Sequence, residues 1–220
     1  MLDALGIRKA VFAGHSLAGS ELSRLGAAYG SRVEKLIYID ASDLAERFGT
    51  LTEPPGSQAL FTDATLKSLQ AYQAASARYL AVREPDQAVC LNLRFDAKGR
   101  VVAATSPDWV TDKLLAGIRA PANPPTDWDA IKAPRLGIFA VFTRDARQAW
   151  YWYLSPADQA KFDAAWPPIV DWFRRTEQRF ADGNQANTDR LPGAPHYIYI
   201  MREAEVVRWM REFLGIPPRQ

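Results

Sequence analysis

Gly14-His15-Ser16-Leu17-Ala18-Gly19 places a serine between two small residues, each two positions away. The apolar run Ala10-Val11-Phe12-Ala13 precedes it, and a helical pattern follows. A strand that turns straight into a helix lifts such a hydroxyl clear of the sheet at the helix N-terminus. The strained backbone of the turn tolerates only small side chains at positions 14 and 18. The backbone N–H of Leu17 then points towards the reaction partner of the hydroxyl, as one donor for a developing oxyanion. A serine hydroxyl attacks poorly until a base takes its proton, and the chain has two histidines. His15 adjoins Ser16 on a turn that points neighbouring side chains apart, which suits a packed or substrate-contacting position better than a base. His196 is the other candidate, in the loop Leu191-Pro192-Gly193-Ala194-Pro195-His196 before the last helical segment. The plainer alternatives are a strand–turn–helix with Ser16 as N-cap and a solvent-exposed loop histidine.

Several elements must position these groups. Residues Met1 to Leu5 resemble the end of a helix stopped by Gly6. Ala10–Ala13 reads as a buried strand, Leu17–Tyr29 as a helix and Lys35–Asp40 as a second strand, a strand–helix–strand unit of a parallel sheet. Beyond the Pro-rich linker at 53–57, Thr65–Val82 and Pro107–Ile118 read as helices. Leu91–Val102 reads as a hairpin turning at Ala97-Lys98-Gly99. Arg135–Thr143 is a strongly apolar strand. Ser155-Pro156-Ala157-Asp158 resembles a capping box opening a helix to about Ala181, with a bend expected at Pro167-Pro168. The last helix, Glu203–Leu214, should turn Val206, Val207, Met210 and Phe213 inward and stop at Gly215.

At the serine turn the chain resembles the α/β-hydrolase fold family, whose motif is G-x-S-x-G; Ala18 stands in place of the last glycine. The resemblance runs over most of the chain. It implies the C-terminal part of an α/β-hydrolase sheet, parallel strands flanked by helices, with an inserted, mainly helical cap. The stretches would be 1–43 for the serine part of the core, 44–125 for the cap and 126–220 for the rest of the core. His196 lies in the loop where the family carries its catalytic histidine. The family's acid usually follows the strand after the cap, which is Asp145 here. The order Ser16, Asp145, His196 agrees with the family's order, and the acid would orient the imidazole. Asp40 and Asp43, near the end of the second strand, compete for that role. A serine rather than an aspartate at the turn implies acyl transfer to water from a small ester, lactone or thioester, with no cofactor. Trp150-Tyr151-Trp152-Tyr153 offers Trp150 and Tyr151 to an apolar acyl pocket, or else forms a core cluster anchoring the long helix. Activity should rise with pH through the ordinary histidine range, about 6.5–7.

The resemblance also places Met1 where family members already have four strands and the loop giving a second oxyanion donor. The strand at 10–13 is therefore expected to have an open side, an aggregation hazard. Three readings follow: a fragment or misplaced start, a homodimer through that edge, or a shortened, non-catalytic relative that keeps a binding cleft.

Composition narrows the classes. Net charge is +2, from 27 basic and 25 acidic residues, which gives no electrostatic case for a nucleic-acid or membrane partner. Cys90 is the single cysteine, so neither an intramolecular disulfide nor a cysteine metal site is expected, and a small buried hydrophobe is its expected role. Two histidines make an all-protein zinc site a poor reading. No apolar stretch approaches the roughly 20 residues of a membrane span. Without a signal-peptide pattern at Met1 the default compartment is the cytoplasm, a default that would lapse if a further segment precedes Met1.

Overall fold

The apolar runs at 10–13, 35–40 and 135–143 become adjacent strands of one parallel sheet. A computed structural model describes residues 2–41, 64–80, 82–105, 113 and 126–217. In chain order the elements are β1 (Ala10–His15), α1 (Ala18–Ala28), β2 (Val33–Ile39), α2 (Leu69–Leu80), α3 (Asp86–Asn92), β3 (Leu93–Phe95), β4 (Val101–Ala104), β5 (Arg135–Val141), α4 (Pro156–Asp182), β6 (Ala186–Pro192), α5 (Ile198–Met201) and α6 (Glu203–Leu214). The chain divides into two units, Met1–Thr50 with Ala120–Thr143 and Ile169–Gln220, and Leu51–Arg119 with Arg144–Pro168.

In the first unit the sheet order is β1-β2-β5-β6, and each neighbouring pair is parallel. Alternation along the strands sorts side chains onto two faces. Leu36, Tyr38 and Phe139 share one buried cluster with Leu22 of α1 and Phe180 of α4. Ile37, Leu136, Ile138 and Ala140 join Ile198 of α5 and Val206 of α6 in another. Helices thus cover both faces, which is why β5, from Arg135 to Ala140, is buried throughout and reads, after Arg135, as a continuous apolar run. No residue of β1 is fully buried, and among the described residues no strand pairs with its outer side.

β6 carries no apolar run. Its sequence is Ala-Asn-Thr-Asp-Arg-Leu-Pro, and only Leu191 is buried. Edge position explains this, since register with β5 from Arg135↔Ala186 to Val141↔Pro192 makes the strand without an apolar pattern. α6 matches its expected bounds, and Gly215, at φ 72°, closes it by donating its N–H to the Arg211 and Glu212 carbonyls. Val207 is a correction: it is 44% exposed, because the 100° step from buried Val206 carries it off the core face. Trp209, Met210, Phe213 and Leu214 pack there instead.

The second unit holds α2, α3 and the antiparallel β3–β4 hairpin. The Asp96 carboxylate caps the hairpin turn, accepting from the Lys98 and Arg100 amides, and Gly99 takes φ 73°. α3 includes Leu91 and Asn92, so the hairpin starts later than its apolar pattern implies. Gln73 and Ser76 are buried in α2 and satisfied by Asp86 and Glu84 at 2.6 and 2.7 Å. Residues 144–168 belong to this unit, whereas the sequence reading puts them in the core stretch 126–220. Tyr79 packs on Trp150, and Arg78 stacks over Tyr153, which ties that segment to α2. Cys90 is exposed rather than buried. Ser155 caps the helix as expected, its Oγ accepting from the Asp158 amide, while the Asp158 carboxylate accepts from the Ser155 hydroxyl rather than from its backbone N–H. α4 runs on through Pro167 and Pro168, and the division between the units falls just after them. The helix expected at 107–118 lies outside the described residues apart from Lys113, as does Asp43.

Candidate active site

Three strands of a parallel sheet deliver their C-terminal ends to the same side, and the candidate groups follow three such ends. β1 ends at His15, and Ser16 comes next with φ 57°, a left-handed conformation that L-residues other than Asn and Asp seldom hold. The turn is tied down by Ser16 N–H donating to the Ile39 carbonyl at 3.3 Å and by Gly19 N–H donating to the Ser16 carbonyl at 3.0 Å. α1 begins at once, with Leu17 as its N-cap residue. A Cβ on Gly14 would lie 2.5 Å from that of Ala18. The alanine in place of the motif's last glycine is therefore accommodated, and it makes glycine obligatory at position 14.

β2 ends at Ile39, and Asp40 follows with φ 40°, a conformation its short polar side chain tolerates. Asp40 stays in the sheet lattice by its backbone, donating N–H to the Ile138 carbonyl at 2.7 Å. Its Oδ1 accepts from the Ala140 amide at 2.9 Å. Its Oδ2 lies 2.5 Å from His196 Nδ1. The Asp40 side chain is 9% exposed and that of His196 36%, so a buried carboxylate holds the inner nitrogen of a ring whose outer side reaches solvent.

His196 sits beyond β6. Gly193, at φ 69°, turns the chain and donates its N–H to the Val141 carbonyl. The carboxylate against Nδ1 is that of Asp40, not Asp145. Asp145 is exposed and belongs to the second unit; its backbone carbonyl accepts from Arg147. Asp40 satisfies the Ser–acid–His order as well as Asp145 does, so chain order alone could not separate them.

His15 donates from Nε2 to the backbone carbonyl of His196 at 2.9 Å. Its ring centroid is 4.4 Å from that of His196, 5.2 Å from Tyr197 and 4.9 Å from Tyr199. His15 is thus both packed and hydrogen-bonded at the turn. The two tyrosines carry no sequence signal beyond following His196. Tyr151 is buried in the second unit, its hydroxyl donating to Asp163 and its ring against Phe162.

Burial holds the His15 pKa below its ordinary 6.5, and the nearby His196 adds to this; the His196 carbonyl and the Asp40 charge oppose it. The charged or titratable groups around it are His196, Asp40, Tyr197 and Tyr199. Well above pH 6.5 both folded and unfolded chains hold this histidine neutral, and it contributes no pH dependence. As pH falls below 6.5 the unfolded chain takes up the proton first, so stability falls with pH until the folded-state pKa is passed. Urea midpoints measured between pH 5 and 8 should drop more steeply on the acid side in the native chain than in His15→Gln. Parallel curves would show that His15 does not titrate differently on folding.

No protein-family model matches the sequence, and no curated protein shows significant sequence similarity to it. Solved structures do match in three dimensions. A marine microorganism esterase is 15% identical with a TM-score of 0.56, over 96% of this chain and 72% of that one. E-2-(acetamidomethylene)succinate hydrolase is 16% identical with a TM-score of 0.54, over 97% and 69%. A variant of the meta-cleavage product hydrolase from Pseudomonas fluorescens IP01 is 16% identical with a TM-score of 0.54, over 97% and 67%. With its parallel sheet covered on both faces and a serine at the strand–helix turn, this chain has the α/β-hydrolase fold.

Proposed function

We propose that the chain is a serine hydrolase that cleaves a carboxylic ester, or a related lactone or thioester, through an acyl-enzyme on Ser16. His196 is its base, Asp40 the orienting acid and the Leu17 N–H one oxyanion donor. The observation that carries the reading is the Asp40–His196 pair, tied through the His15–His196 bond to the turn that holds Ser16 at φ 57°. A neutral imidazole whose Nδ1–H is donated to Asp40 leaves Nε2 free to accept a proton.

In this mechanism Ser16 Oγ attacks the carbonyl carbon while its proton passes to His196 Nε2. The tetrahedral oxyanion accepts a hydrogen bond from Leu17 N–H. Collapse breaks the bond to the leaving alcohol, which takes the proton from His196. Water then attacks the acyl-enzyme by the same route, giving the carboxylic acid and restoring Ser16. The inserted stretch 44–125 serves as the cap in this reading. The esterase and hydrolases of the same fold add support at the level of architecture.

The test is covalent labelling with a fluorophosphonate, followed by peptide mapping. One phosphonyl group should appear, on the peptide containing Ser16. Labelling elsewhere, or none while the fold is intact, would reject the mechanism and leave a non-catalytic binding module as the reading.

A further inference from the structure

We propose that His15 is a positioning residue for the base: its bond to the His196 carbonyl sets where the His196 ring stands relative to Ser16. The inference rests on the triad reading above. His196 is held at two points, by Asp40 at Nδ1 and by His15 at its own backbone carbonyl. The first bond fixes which way the ring faces. The second fixes where the backbone carrying the ring lies. A carbonyl can only accept, so His15 Nε2 bears the hydrogen, and burial keeps the neutral ring in place for that role.

The geometry is direct because His15 adjoins Ser16 in sequence. One residue thus links the backbone of the nucleophile to the backbone of the base, 181 positions away. His15 also lies in register with Ile39 across β1 and β2, immediately before Asp40. The elbow, the acid and the base are thereby referred to one rung of the sheet. Tyr197 and Tyr199 close round the His15 ring, limiting the conformations in which the bond could be broken without repacking.

Packing alone would place an aromatic ring at position 15 without needing its N–H. The two roles separate in His15→Phe, which keeps a ring but loses the donor, and His15→Gln, whose amide nitrogen reaches as Nε2 does. A small misplacement of a catalytic group costs up to about 10²-fold. With p-nitrophenyl acetate as substrate, His15→Phe should lower kcat by about 10- to 100-fold and leave KM nearly unchanged. His15→Gln should recover most of that loss. Equal kcat in His15→Phe and the native chain, or equal losses in both variants, would overturn the proposal.

A second measurement does not depend on turnover. The downfield proton resonance of the His196 Nδ1–H···Asp40 bond should shift or broaden in His15→Phe and stay near its native position in His15→Gln. If native protein hydrolyses no ester, the functional reading fails, and this resonance still decides the positioning role. Identical resonances in the native chain and both variants would refute it.

Discussion

Ser16→Ala and His196→Ala should each lower kcat for p-nitrophenyl acetate hydrolysis by a factor of about 10⁶, and the double variant should lose no more than either single one. That factor corresponds to about 8 kcal/mol of lost barrier reduction. The saturation is the informative part. An alanine at position 16 leaves His196 with no hydroxyl to deprotonate, and an alanine at 196 leaves Ser16 with a proton it cannot release. Each change disables the same step, so their costs cannot multiply. Some rate above the uncatalysed background should survive from substrate binding and the Leu17 N–H. Two residues contributing independently would instead multiply their losses in the double variant. A Ser16→Ala protein within tenfold of the native rate would remove Ser16 from the chemistry.

Asp40→Asn should cost on the order of 10⁴ in kcat, while Asp145→Asn should stay close to the native rate. The size follows from how Asp40 is held. Its Oδ1 accepts from the Ala140 amide, and its Oδ2 faces His196 Nδ1. An asparagine keeps the first bond only by directing its carbonyl oxygen at Ala140. Its NH₂ is then turned towards His196, where Nδ1 must become an acceptor. The ring proton moves to Nε2, the nitrogen required to receive the Ser16 proton, and the base is blocked with almost no change of shape. Far-ultraviolet circular dichroism should therefore be unaltered while kcat collapses. A damaging Asp145→Asn beside a near-native Asp40→Asn would transfer the role back to Asp145.

Much of this architecture was legible from the residues. The apolar runs preceding Ser16 and Asp40 and the apolar run 135–143 specify three parallel strands, of which β5 is buried almost throughout, β2 mostly, and β1, read as buried, has no fully buried residue. A parallel sheet covered on both faces buries its central strands and leaves that signature in composition, as in β5. The small residues at 14 and 18 mark the tight turn, and a histidine count of two brings His196 forward. β6 escaped the same reading because an edge strand buries only Leu191 among polar neighbours. Val207 escaped because helix phase, not hydrophobicity, decides which valine of a pair faces inward.

The sequence by itself determined the chemistry available: one serine at a strained turn, a base from a later loop and a choice among carboxylates. Only the tertiary structure showed which carboxylate lies against His196. Asp40 and Asp145 both follow apolar strands and both lie between Ser16 and His196 in the chain, so nothing local distinguishes them. Strand register does, because it brings the end of β2 beside β5, where the Ala140 amide fixes the Asp40 side chain with its free oxygen towards His196. The same holds for His15. Its neighbours in sequence give no hint of a bond to a carbonyl 181 residues away; that contact exists because the sheet and the loop after β6 bring two distant backbones within hydrogen-bonding reach.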